Sequence, residues 1–129
     1  MASAVRKPHA GVTVHGCSAC HSGWRLTDDA FHDIGTTTTD QGRGRETKDP
    51  AQNYAFKTPT LRAVAQRAPY MHNASITTLS DVVRHYEKGG IDRPSRSPMM
   101  LPVKLTDQER FDLVAFMETL TGESVQPSR

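Results

Sequence analysis

The feature that most constrains this chain is Cys17-Ser18-Ala19-Cys20-His21, which holds both of its cysteines. Three chemistries use two thiols at this spacing. A thioredoxin-type redox pair wants a preceding strand in a βαβ context, and His9 to Gly16 do not read as a buried strand. A zinc half-site needs a second ligand pair at similar spacing, and none follows. The third is covalent haem attachment, in which two thiols bond the porphyrin and the adjacent histidine ligates iron. One helical turn sets both sulfurs along a porphyrin edge, and the next residue brings an imidazole under the metal. That third reading fits best; a chance disulfide or a pair of structural thiols is the bland alternative.

Composition agrees that something besides side chains fills the interior. Leu, Ile, Val and Phe supply only 23 of 129 residues, while the net charge is just +2. Disorder needs low hydrophobicity together with high net charge, so the chain is expected to fold, with a thin core that a cofactor, metal or partner completes. No apolar run is long enough to span a membrane. The small, scattered excess of base and few aromatic residues do not make a nucleic-acid footprint. Residues 1–16 carry Arg6, Lys7 and His9 with no apolar stretch behind them, so the reading is a cytosolic chain or one that begins after its leader.

Along the chain, residues 1–9 and 123–129 read as tails and 10–122 as one domain. A short helix is expected over 10–22, ending in the attachment turn. Thr36 to Asn53, with Ala51 as its one apolar residue, reads as an exposed loop. Leu61, Val64 and Ala65 suggest a helix of two to three turns over 59–68, stopped by Pro69. Thr78-Leu79-Ser80-Asp81 is a capping box opening a helix to Lys88, ended by Gly89-Gly90. Its Leu79, Val82, Val83 and Tyr86 share one face, and His85, about 100° round, is expected to be exposed. After a proline-bearing loop over 91–104, Thr106-Asp107-Gln108-Glu109 caps a last helix to about Thr121. Phe111, Val114, Met117 and Leu120 form its apolar stripe, widened by Leu113 and Phe116. The fold class is therefore all-α and cytochrome c-like, with long loops around one covalently attached haem.

Several segments carry a more specific likeness. These are Phe56-Lys57-Thr58-Pro59-Thr60-Leu61-Arg62, Ala68-Pro69-Tyr70-Met71-His72-Asn73, Val82 to Gly90, and Leu105-Thr106-Asp107-Gln108-Glu109 followed by Leu113-Val114-Ala115-Phe116. From about Gly16 to Gly122 the chain resembles the C-terminal haem domain of bacterial dihaem cytochrome c peroxidases, nearest their MauG-like branch. In that family an N-terminal haem reacts with peroxide and a C-terminal haem passes it electrons. One attachment motif stands here, so the likeness covers one half, and peroxidase activity of this chain alone does not follow from it.

The resemblance implies haem c held by Cys17 and Cys20 with His21 as proximal ligand. It also implies a sixth iron ligand fourteen residues after the histidine of Pro69-Tyr70-Met71-His72, which is Tyr86. Family peroxidases usually carry methionine there and the MauG-like branch tyrosine. From the residues alone, a core tyrosine with a bonded hydroxyl is the competing reading of Tyr86. Small monohaem cytochromes place an axial methionine just before the last helix, so Met99 or Met100 is the alternative ligand, Met100 first. His72 is expected to be structural and His32 to lie in a loop over the haem. Trp24 reads as a packing residue, and Lys57 and Arg62 as partners of the propionates or as solvated charges. Calcium is implied only for the full two-domain family protein, at carbonyls matching Arg67 and Pro69. The implied partner is a second haem domain or a redox protein, in the periplasm; a free-standing monohaem carrier is the alternative.

Overall fold

The structure, a computed structural model, describes residues 16–122. The expected helical lead-in over 10–15, His9, His15 and both tails lie outside the described residues. Within them are three α-helices: α1 Arg43–Thr47, α2 Leu79–Lys88 and α3 Asp107–Glu118. Three single 3-10 turns, Cys17–Ala19, Pro50–Gln52 and Val64–Gln66, punctuate the loops. The one sheet is two residues wide: β1 Phe31–His32 pairs antiparallel with β2 Phe56–Lys57, Phe31 opposite Lys57. Helix is thus the chief regular structure, as the sequence predicts, among more irregular backbone than helix.

The two long helices form where their caps place them. Thr78 accepts a hydrogen bond from the Asp81 N–H at the start of α2, and Gly89, in the left-handed region at φ 79°, ends it. At α3 the box is complete: Thr106 accepts from the Glu109 N–H, and Glu109 accepts from the Thr106 N–H. The helices meet along one seam. Leu79 and Val83 of α2, Met117 of α3 and Val64 make the buried cluster, with Leu113, Val114, Leu61 and Tyr70 packed around it. Glu87 of α2 takes two hydrogen bonds from the Arg110 guanidinium of α3, at 2.8 and 2.9 Å.

Three expectations are corrected. The helix over 59–68 shrinks to the turn Val64–Gln66, because Ala63 sits in the left-handed region at φ 56° and its N–H bonds to Leu120 beyond α3. The stretch 36–53 is an ordered polar fold: Thr37 and Gly44 are buried, and α1 lies inside it. Its order comes from side chains that bond nearby backbone, Thr37 to the Thr39 and Asp40 N–H groups and Asp49 to that of Ala51. On α3, Phe111 stands 69% exposed and Phe116 is also exposed, so the working stripe is Leu113, Val114 and Met117.

Candidate haem site

Residues Cys17–Ala19 form a 3-10 turn that the Cys20 and His21 N–H groups close on the Cys17 carbonyl. The motif therefore curls as attachment requires, with both thiols free, Cys17 exposed and Cys20 half-buried. Partial burial pushes the Cys20 thiol above its ordinary range, and the Asp28 carboxylate adds to the rise.

The half-buried His21 lies with Nδ1 at 3.0 Å from the Leu26 carbonyl. A carbonyl only accepts, so Nδ1 carries the proton and Nε2 keeps its lone pair. Burial lowers the imidazole's pKa, against the opposing pull of the Leu26 and Pro59 carbonyls. A neutral ring fixed through Nδ1 is the form that ligates a metal. Leu26 reaches it because the loop is tied down twice: Thr60 Oγ1 donates to the Arg25 carbonyl, and Arg62 donates to the Trp24 carbonyl.

Tyr86, near the end of α2, stands outside the buried apolar cluster of its helix-mates Leu79 and Val83. Burial drives its phenol pKa up, and the nearby Cys17 and Cys20 thiolates raise it further. No hydrogen bond joins its hydroxyl to any described residue, although no buried polar side-chain atom among them lacks a partner. The hydroxyl therefore opens onto accessible space and not into the packed interior. Two thiols one turn apart and a half-buried imidazole held through Nδ1 fit the two anchors and the iron ligand that a c-type haem would need. Met100, the alternative, is buried in the loop before α3, where its N–H bonds to the Ser97 carbonyl.

Of the neighbouring residues, His85 departs from its sequence reading. His85 is half-buried, and its Nε2 lies 2.7 Å from the Ile34 carbonyl, so the exposure expected from the helical wheel is wrong. The wheel gives only an angle, and residues 34–35 cross over that flank of α2. His72 stacks on Phe56 with ring centroids 3.5 Å apart and faces Asp40 at 3.4 Å. His32 bonds Asp28 at 2.7 Å, beside Cys20, and these three residues bring their ligand atoms within 4.8 Å of one another. Lys57 pairs with Asp29, and Arg62 is spent on the Trp24 carbonyl, so both have protein partners. Trp24 itself is 78% exposed.

Sequence reasoning missed one cluster entirely. Asp33, 2% exposed, accepts from Arg93 Nε and Nη2 at 2.7 Å each, from Ser95 Oγ at 2.8 Å and from the Gly35 N–H at 2.9 Å. Arg93 also donates to the Thr37 carbonyl and lies over the Tyr54 ring. Its parts lie sixty residues apart in sequence, and no local pattern announces such a pair.

A mostly helical domain whose loops gather over a Cys-x-x-Cys-His turn defines a cytochrome c. The cytochrome c family model matches residues 10–121, and the chain belongs to that family. Among its relatives is the methylamine utilization protein MauG of Methylorubrum extorquens, 51% identical over 111 residues, covering 84% of this chain and 31% of that protein. The cytochrome-c peroxidase IdrP1 of Denitromonas iodatirespirans is 34% identical over 138 residues, covering 82% of this chain and 37% of the relative. The crystal structure of a MauG-like protein associated with microbial copper homeostasis superposes with a TM-score of 0.78 at 30% identity, covering 86% of this chain and 44% of that one. The chain spans about a third of the length of the curated relatives it matches. Among the described residues no helix is long and apolar enough to cross a membrane.

Proposed function

We propose that this chain is the c-type haem electron-transfer domain of a MauG-like or cytochrome c peroxidase-like oxidoreductase. In this reading residues 10–122 form the domain and correspond to the C-terminal half of the family protein. It passes electrons to a peroxide-reducing haem in an N-terminal domain, in the periplasm. Bound haem supplies reversible one-electron chemistry at iron. The chain's residues do the rest. Cys17 and Cys20 tether the porphyrin, and the Leu26 carbonyl orients His21 through its Nδ1–H. Tyr86 offers a hard anionic oxygen, which favours the ferric over the ferrous state and lowers the reduction potential; a soft methionine sulfur does the reverse. A low-potential site suits shared storage of oxidising equivalents between two haems.

The observation that carries this reading is the Cys17–Ala19 turn, with His21 held through Nδ1 to the Leu26 carbonyl. The experiment is expression with a c-type maturation system, followed by a pyridine haemochrome assay and ferric spectra of the wild type and Tyr86→Phe. One covalent haem is expected, with the substitution moving the ferric spectrum toward high spin. Lack of covalent haem sinks the assignment, and an unchanged spectrum removes Tyr86 as ligand. The second reading, a free-standing monohaem carrier ligated by Met100, is disfavoured, because that side chain is packed within the protein and not open to a site. It predicts that Met100→Ala, not Tyr86→Phe, changes the spectrum.

A further inference from the structure

We infer that His85 is a positioning residue that sets the roll of α2 and thereby aims the Tyr86 phenol; this rests on the reading of Tyr86 as the sixth ligand. The Ile34 carbonyl only accepts, so the contact at 2.7 Å fixes the proton on His85 Nε2. Its acceptor belongs to a segment that cannot easily yield. The Asp33 carboxylate is gripped by Arg93 and Ser95 on one side of Ile34. On the other, Gly35 and Gly90 pass backbone to backbone, and the Ile91 N–H bonds the Gly35 carbonyl at 3.0 Å. Both glycines hold positive φ, 69° and 66°. A methyl group on either would fall against backbone atoms of the other strand of the crossing.

The helix is fixed on its other sides as well. Leu79 and Val83 hold it to the core, and Glu87 holds it to Arg110 of α3. Glu87, next after Tyr86, ties the helix toward α3 through Arg110; His85, next before Tyr86, ties a second side of it to Ile34. The His85 and Tyr86 rings meet edge to face, centroids 5.5 Å apart at 88°. One hydrogen bond from the imidazole to a braced carbonyl thus limits the rotation of the ring beside it. Metal ligation tolerates errors of only about 0.2 Å in the donor, so a modest roll is enough to disengage the phenol.

The test uses the haem-loaded chain and three substitutions, read by ferric absorption and EPR spectra and by the reduction potential. Tyr86→Phe establishes whether Tyr86 is the ligand. His85→Leu keeps bulk against the Tyr86 ring and removes the donor; His85→Gln returns an N–H near the Nε2 position. His85→Leu is expected to raise the fraction of haem lacking the sixth ligand about two- to tenfold, the range one hydrogen bond's net worth allows. The potential should rise with it, and His85→Gln should restore both. If Tyr86→Phe leaves the spectrum unchanged, the ligand assignment fails and this inference with it. If Tyr86→Phe changes the spectrum while His85→Leu matches wild type, or Leu and Gln behave alike, the positioning role alone is overturned. Failure of either His85 variant to fold or retain haem assigns the contact to folding and likewise overturns it.

Discussion

Asp33 carries a negative charge where water barely reaches. Desolvation pushes its carboxyl up, but Arg93, the Gly35 N–H and Ser95 outweigh that and hold it below its ordinary 3.8. Folding stability from this group is therefore complete above pH 3.8, where the unfolded carboxyl is ionised too. It is lost as the pH falls through the lower folded value. Asp33→Ala leaves Arg93 without its counter-charge and is expected to cost about 3–5 kcal/mol near neutral pH. The variant's melting temperature should also fall less steeply than the wild type's as the pH drops toward 3. Thermal melts across a pH series measure both, and an acid limb unchanged in slope would show that Asp33 does not carry the effect. Asp28, where desolvation is outweighed by the Ala30 N–H and His32, sits at about 2 and adds to the same acid limb. At this scale the sequence was legible only where a motif spoke. The proposed roles of Cys17, Cys20 and His21 are readable from spacing. Tyr86 needed a family likeness, because an inward tyrosine on a helix has a commoner explanation. Asp33, Arg93 and the His85 contact were unreadable, since each joins segments far apart in sequence.

At the scale of elements, legibility follows how local the determining interaction is. Helices α2 and α3 were readable because their caps and stripes lie within a few residues of each other. The helix expected at 59–68 failed because Arg67 reaches the Thr60 carbonyl and Ala63 bonds to Leu120, contacts outside any helical pattern. The pairing of β1 with β2 is two residues long, too short for a period to show. A cap whose helix packs against α2 should have a measurable weight. Thr106→Ala removes the side-chain half of the box at the start of α3, while the Thr106 N–H still bonds Glu109, and is expected to cost about 1 kcal/mol. Urea denaturation of the haem-loaded chain checks it. Thr106→Asn, a good N-cap, should recover most of the loss; equal losses for Ala and Asn would place Thr106's contribution elsewhere.

At the scale of the molecule, the shortage of large apolar residues reappears as geometry. The buried apolar residues are Ala55, Val64, Leu79, Val83, Met100 and Met117, and no large side chain among the described residues is fully buried. Four of them form the α2–α3 cluster, so the loops over residues 16–62 rest largely on polar contacts. Such contacts add little net stability each, because water competes for the same groups in the unfolded chain. A haem tethered at Cys17 and Cys20, as proposed, would bring a large apolar body to a region with few buried apolar side chains. Its binding free energy then becomes folding free energy, as for other small domains organised by a metal centre. The chain with Cys17→Ala and Cys20→Ala, produced without haem, should lose its cooperative thermal transition and its near-UV dichroism. Amide exchange should be slowest in α2 and α3, which keep the apolar cluster, and fast through 16–62. An apo chain that melts cooperatively with protection spread over both regions would mean that the polar loops fold on their own contacts. The thin core would then have a cause other than haem.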